Sequence, residues 1–159
     1  LNEIATQVKL DVKTIGRYLD IFEKAFVIRR IGGFSRNLRK EVITKAKYYF
    51  LDNGIRNAVI AAFNPLDSRN DAGQLWENFL VTERIKKWTY QGTYGSFYFW
   101  RTYGGQELDL VEERENTLAG YEFKWSDKKK PKAPSDWVRE YKNSTFSLIN
   151  RDNYLDFLL

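Results

Sequence analysis

The chain has 159 residues, of which 43% are hydrophobic and 16% aromatic, enough for one sizeable core and too apolar for a disordered chain. Its formal net charge of +5 permits a polyanionic partner without requiring one. Lacking cysteine and histidine, it has no disulfide, no Cys/His zinc site and no histidine-based triad, so a metal site must use oxygen ligands, which suits Mg, Ca or Mn. No apolar run approaches the ~18 residues of a membrane span, and no signal peptide is visible. The expected setting is cytoplasmic, with no membrane partner. Methionine is absent even at position 1, so the chain reads as a portion of a longer product.

Leu1, Ile4, Ala5 and Val8 recur at helical spacing. Lys9 to Asp11 break that pattern, and Asp11 is placed to cap a second helix. Its apolar stripe is Val12, Ile15, Leu19, Phe22 and Phe26. "FVIRRI" then reads as a strand, and Gly32-Gly33 turns the chain. Residues 1–34 thus have the order of a truncated winged helix-turn-helix that lacks its first helix. Residues 35–71 read as a basic linker with a strand at Ala46 to Leu51, a short helix through Ala62 and a loop from Asn64.

Asp71, with Gln74 three residues on, opens a strong helix running to about Trp88. Three strands follow as a meander: "FYFWR", "QELDLVEE" and "LAGYEFKW". A basic, proline-marked loop, one or two helical turns at "DWVREYK" and a last strand "TFSLIN" complete residues 72–159. The fold class is α/β with a mixed sheet.

Charges sit where this sheet should be central. Even alternation puts Glu107, Asp109 and Val111 on one face, and Leu108 and Leu110 on the other. It likewise separates Glu122 and Lys124 from Tyr121, Phe123 and Trp125. With the apolar faces packed on a helix, Asp109 and Glu122 approach on adjacent strands and can share a cation. Lys124 beside that cation could orient a water or stabilise charge. Glu77 lies among Leu80 and Val81 on its helix, so its carboxylate needs a partner, and the acidic cluster is one. Asp109, Glu122, Lys124 and Glu77 are the minimal equipment for metal-assisted phosphodiester hydrolysis. The bland alternative is a cross-strand salt bridge on a solvated face. For Glu77 the alternative is pairing with an arginine such as Arg101.

Nucleic-acid contacts would come from Lys13, Thr14 and Arg17 near the start of the second helix, as groove readout needs. Arg101 is a candidate phosphate contact, as are Lys128, Lys129 and Lys130 in the basic loop. The aromatic residues of the strands read as core.

"WENF", "YFWRTYGGQELDLVEE" and "GYEFKW" resemble the C-terminal domain of bacterial and archaeal AAA+-type ATPases, a domain similar to the PD-(D/E)XK nuclease fold. "TIGRYLDIFEKAFVIRRIGGFSRNLRKE" and "KAKYYFLDNGIRNAVI" are similar to the winged-helix and linker portions before it. The resemblance implies a restriction-endonuclease-like domain with its first acid at Asp109, the E-x-K pair at Glu122 and Lys124, and a helix acid at Glu77. Asp109 and Glu122 would bind Mg or Mn, with the Phe123 carbonyl as a third ligand. Leu108 stands where the motif has proline. No G-x-x-x-x-G-K-[ST] loop is present, so ATP hydrolysis would belong to an upstream ATPase domain. The implied partner is nucleic acid, DNA foremost, and oligomerisation is left open. The alternatives are a catalytically inactive recognition module and an assembly domain of the ATPase.

Overall fold

A computed structural model describes residues 1–36, 41–42, 45–126 and 132–159. Two helices come first, α1 (Asn2–Val8) and α2 (Val12–Lys24), then strands β1 (Ile28–Gly33) and β2 (Ala46–Phe50) and helix α3 (Asn53–Val59). The long helix α4 (Ala72–Tyr90) precedes β3 (Ser96–Arg101), β4 (Glu107–Arg114) and β5 (Thr117–Phe123). The chain closes with α5 (Ser135–Glu140), β6 (Ser144–Ile149) and α6 (Tyr154–Leu158). Among the described residues, α6 and a 3-10 turn at Leu66–Ser68, within the expected loop, have no counterpart among the sequence expectations.

The six strands form one mixed sheet in the order β2-β1-β3-β4-β5-β6. β1–β2, β3–β4 and β4–β5 are antiparallel, whereas β1–β3 and β5–β6 are parallel. A single sheet therefore crosses the boundaries at 34 and 71 that the sequence suggests. Ile31 of β1 and Tyr49 of β2 join Trp76, Leu80, Val81, Leu110, Phe123 and Phe157 in the core beneath α4 and α6. On the opposite face, Trp137 of α5 packs with Phe34, Trp100, Leu108, Val111 and Leu118. Each such side chain contributes about 1.5–3 kcal/mol when buried. Gly120 lets β5 approach this second core. A Cβ there would meet Leu108 Cδ1 at 2.6 Å and the Trp137 ring at 3.2 Å.

β4 departs from even alternation. Tyr98 pairs with Val111, but Trp100 pairs with Leu108, two steps on β3 against three on β4. This β-bulge inserts an extra residue and resets the faces. Leu108 and Val111 accordingly lie in the Trp137 core, and Leu110 in the α4 core. The expected sharing of faces by Asp109 with Val111, and by Leu108 with Leu110, is thereby overturned.

Two capping expectations part ways. Asp11 caps α2 by accepting the Thr14 N–H at 2.9 Å. Asp71 occupies the N-cap of α4 but makes no capping bond. Arg69 Nε at 2.7 Å and Arg56 at 2.8 Å take its carboxylate instead. In α2 only Ile15 of the apolar stripe is buried, and Phe22 and Phe26 are exposed. No helix among the described residues is long and apolar enough to cross a membrane.

Candidate functional site: an acidic cavity closed by lysines

The sheet and α4 meet at a cavity of about 360 Å³ lined by Glu77, Glu107, Asp109, Glu122, Lys124 and Trp125, among others. The bulge helps to build it. The register recorded between β4 and β5 runs from Arg114–Thr117 to Leu110–Tyr121. Beyond that point the side chain of Asp109 replaces the ladder, its Oδ2 accepting the Phe123 N–H at 2.8 Å. Phe123 thus meets the cluster through its N–H, while its ring packs in the α4 core.

Glu77 projects from α4 and finds two donors on β2. Its Oε1 accepts from Lys47 Nζ at 2.8 Å and from the Tyr49 hydroxyl at 2.7 Å. Lys47 also reaches Asp109 Oδ1 at 3.5 Å and lies 5.9 Å from the centre of the Phe99 ring. Its ammonium therefore bridges the two acids. Lys124 Nζ sits 2.5 Å from Glu122 Oε1. At the rim, Arg101 Nε is 3.8 Å from Glu107 Oε2, so Arg101 pairs with Glu107 and not with Glu77.

Four carboxyl groups (Glu77, Glu107, Asp109, Glu122) face three cations (Lys47, Lys124, Arg101), and the imbalance falls on the most buried acid. Burial pushes the Asp109 carboxyl up to about 7, and Glu77 adds to the shift; Lys47 and the Phe123 N–H oppose it. Burial works against the Lys47 charge, but Glu77 and Asp109 outweigh it and raise the lysine above its usual range. Burial, with Glu77 next, pushes the Tyr49 hydroxyl far up, so it remains a donor.

The sequence-predicted Glu77, Asp109, Glu122 and Lys124 all line this cavity. Lys47 and Tyr49, which line a neighbouring cavity and hold Glu77 from β2, were not foreseen. Their i, i+2 spacing on β2 was the available signal, since it puts both on one strand face. Mg or Mn does not fit the arrangement as it stands. No group of three or more acidic side chains among the described residues could hold a metal ion. Asp109 has committed one oxygen to Lys47 and the other to a backbone N–H, and Glu122 is held by Lys124. Lys47 and Lys124 thus occupy the carboxylate oxygens of Glu77, Asp109 and Glu122 that a cation would need.

The expected nucleic-acid contacts lie elsewhere. Lys13 and Arg17 are exposed on α2. Thr14 is committed to the cap, with its N–H and hydroxyl both donated to Asp11. Lys128, Lys129 and Lys130 fall outside the described residues.

Residues 72–152 match a domain of unknown function, DUF4143, and the chain belongs to that family. Residues 1–66 match a second domain of unknown function, DUF8612. Two curated relatives are an uncharacterized protein of Mycobacterium tuberculosis, Rv2008c, and one of Mycobacterium bovis, Mb2031c. Each is 28% identical over 124 residues, covering 77% of this chain. The chain spans 27% of the length of these relatives. No solved structure matches it.

Proposed function

We propose that this chain is a nucleic-acid-handling domain built on a PD-(D/E)XK nuclease-like core, acting within an AAA+-like ATPase and recognising DNA without cleaving it on its own. The nuclease-like reading is supported by the order α4, β3, β4, β5, α5, β6 with β6 parallel to β5, and by Glu77, Asp109, Glu122 and Lys124 on one cavity. The exposed Lys13 and Arg17 of α2 supply basic groups to a winged-helix-like N-terminal part. The observation that carries recognition over cleavage is Lys47, whose ammonium bridges Glu77 and Asp109 where a catalytic cation would have to stand.

The four acids on one cavity favour a second reading, a Mg- or Mn-dependent phosphodiesterase whose metal displaces Lys47. Calorimetric titration with Mn2+ separates the two, using the intact chain beside Lys47→Met, Asp109→Ala and Glu122→Ala. Recognition predicts no Mn2+ binding by the intact chain, with affinity appearing at most in Lys47→Met. Binding by the intact chain that both alanine variants abolish would replace recognition with the phosphodiesterase. Duplex DNA binding should weaken steeply with rising salt, because affinity rests on displaced counterions. An assembly domain would bind no DNA at any ionic strength.

A further inference from the structure

A second cavity that Glu77 helps to line, of about 290 Å³, lies along β2, with Lys47, Tyr48, Phe50, Arg56 and Asn78 among its walls. The backbone there is an edge of the sheet, since β2 has β1 as its one neighbouring strand among the described residues. Asn78 reaches from α4 to close one rung of that edge. Its side-chain amide donates to the Phe50 carbonyl and accepts the Phe50 N–H, the pair of bonds that a neighbouring antiparallel strand would make. This fixes which backbone groups point outward. Along an antiparallel strand, successive residues turn their N–H and C=O to alternate sides, so Tyr48 and Ala46 turn theirs the same way as Phe50. Leu51, of the opposite parity, donates inward to the Val27 carbonyl at 3.0 Å. Among the described residues, nothing pairs with the outward backbone groups of Tyr48 and Ala46.

We infer that this edge takes an extended, acidic segment of a protein partner, which adds to the sheet as a strand beside β2. Two open rungs in line with a third, closed by a side chain that imitates a strand, match another extended backbone. A second copy of β2 fits poorly. With Phe50 closed, two antiparallel copies must pair Ala46 with Tyr48. That register sets the Lys47 side chains of the two copies directly opposite each other, and like charges so placed repel. Charge selects the partner. Lys47 and Arg56 line the cavity with one acid, Glu77. Arg56 spends only its Nη1, on Asp71 and Asn57, among the described residues. Arg29, paired with Tyr49 across β1 and so on the same face, is exposed. Carboxylates on alternate residues of the incoming strand face these cations. A protein partner at this edge is independent of the nucleic-acid reading, and either can fail alone.

The test uses a blocked peptide of alternating glutamate and valine, and the same peptide with lysine in place of glutamate. The intact chain is set beside Tyr48→Pro and Tyr48→Thr. Proline removes the outward N–H, which an edge strand tolerates, and threonine keeps it while removing the ring. Ala46→Pro, at the first residue of the strand, makes the same test where Tyr48→Pro does not fold. The expected result is that the glutamate peptide slows amide exchange at Ala46 and Tyr48, which exchange fast in the free chain, and leaves Phe50 unchanged. Tyr48→Thr should bind as the intact chain does, whereas Tyr48→Pro and the lysine peptide should each bind about tenfold more weakly. No binding at about 1 mM glutamate peptide would overturn the proposal. So would equal binding by Tyr48→Pro, or slow exchange at Ala46 and Tyr48 in the free chain, which would mean that the edge is already covered. Equal binding of the two peptides would overturn the acidic partner. Self-association of the chain that Tyr48→Pro abolishes would replace the partner with a second copy.

Discussion

Asp109 is 8% exposed, accepts one backbone N–H, and shares a lysine with Glu77. Its folded pKa is raised from 3.8 to about 7, so the folded protein keeps this proton over a pH range in which the unfolded chain has lost it. Stability from this group is present below the unfolded value and drains away as pH rises through the folded one. Asp109→Asn keeps an acceptor for the Phe123 N–H and removes the charge. It should stabilise the protein by on the order of 2 kcal/mol near pH 8, with a smaller gain near pH 5. Urea unfolding at the two pH values checks this. A less stable variant near pH 8 would mean that attraction to Lys47 exceeds the cost of burial. The acid itself was legible in the sequence, because a charge inside an apolar strand demands a partner. Lys47 was not, because it sits 30 residues before Glu77 and 62 before Asp109, and only the sheet order brings them together.

Most elements were legible because each carries its own periodicity and punctuation; the bulge in β4 was not. "ELDL" alternates evenly as text, Leu110 and Val111 then follow one another as two apolar residues, and the extra residue itself exists only in the pairing with β3. The edge strand β2 shows how a single side chain can set an element. β2 has β1 on one side and, among the described residues, no strand on the other. On α4, Asn78 accepts the Phe50 N–H at 2.8 Å and donates to the Phe50 carbonyl at 2.7 Å, closing both backbone groups of that residue. Asn78 is 7% exposed, so little water is at hand to replace it. Asn78→Ala should cost about 2 kcal/mol. It should also speed amide exchange in β2 before that in β4 and β5. Uniform acceleration across the sheet would show that the amide supports the whole fold and not this edge.

At the scale of the whole molecule, the two family matches, 1–66 and 72–152, meet inside one sheet. β1 runs parallel to β3 at Gly32–Tyr98 and Gly33–Phe99, and the Phe34 N–H continues the pairing to the Phe99 carbonyl at 2.7 Å. Val42 donates to the Arg101 carbonyl at 2.8 Å. Glu41, in the stretch that reads from sequence as a basic linker, is 1% exposed and accepts the Trp100 indole N–H at 2.7 Å. A chain cut to residues 72–159 would lose Ile31, Phe34, Val42 and Tyr49 from its cores, each contributing about 1.5–3 kcal/mol. Together they are comparable to the ~5–15 kcal/mol by which a domain is stable. The cut also leaves the Trp100 N–H without its acceptor, and Glu77 and Asp109 without Lys47. The 72–159 fragment should therefore fail to unfold cooperatively by calorimetry, and residues 1–71 added in trans should restore the transition. Cooperative melting of 72–159 alone, near the temperature of the full chain, would mean that the sheet is two independent units sharing an edge. The lysine-closed cavity would then be a product of their docking, and its occupancy could be controlled by whatever separates them.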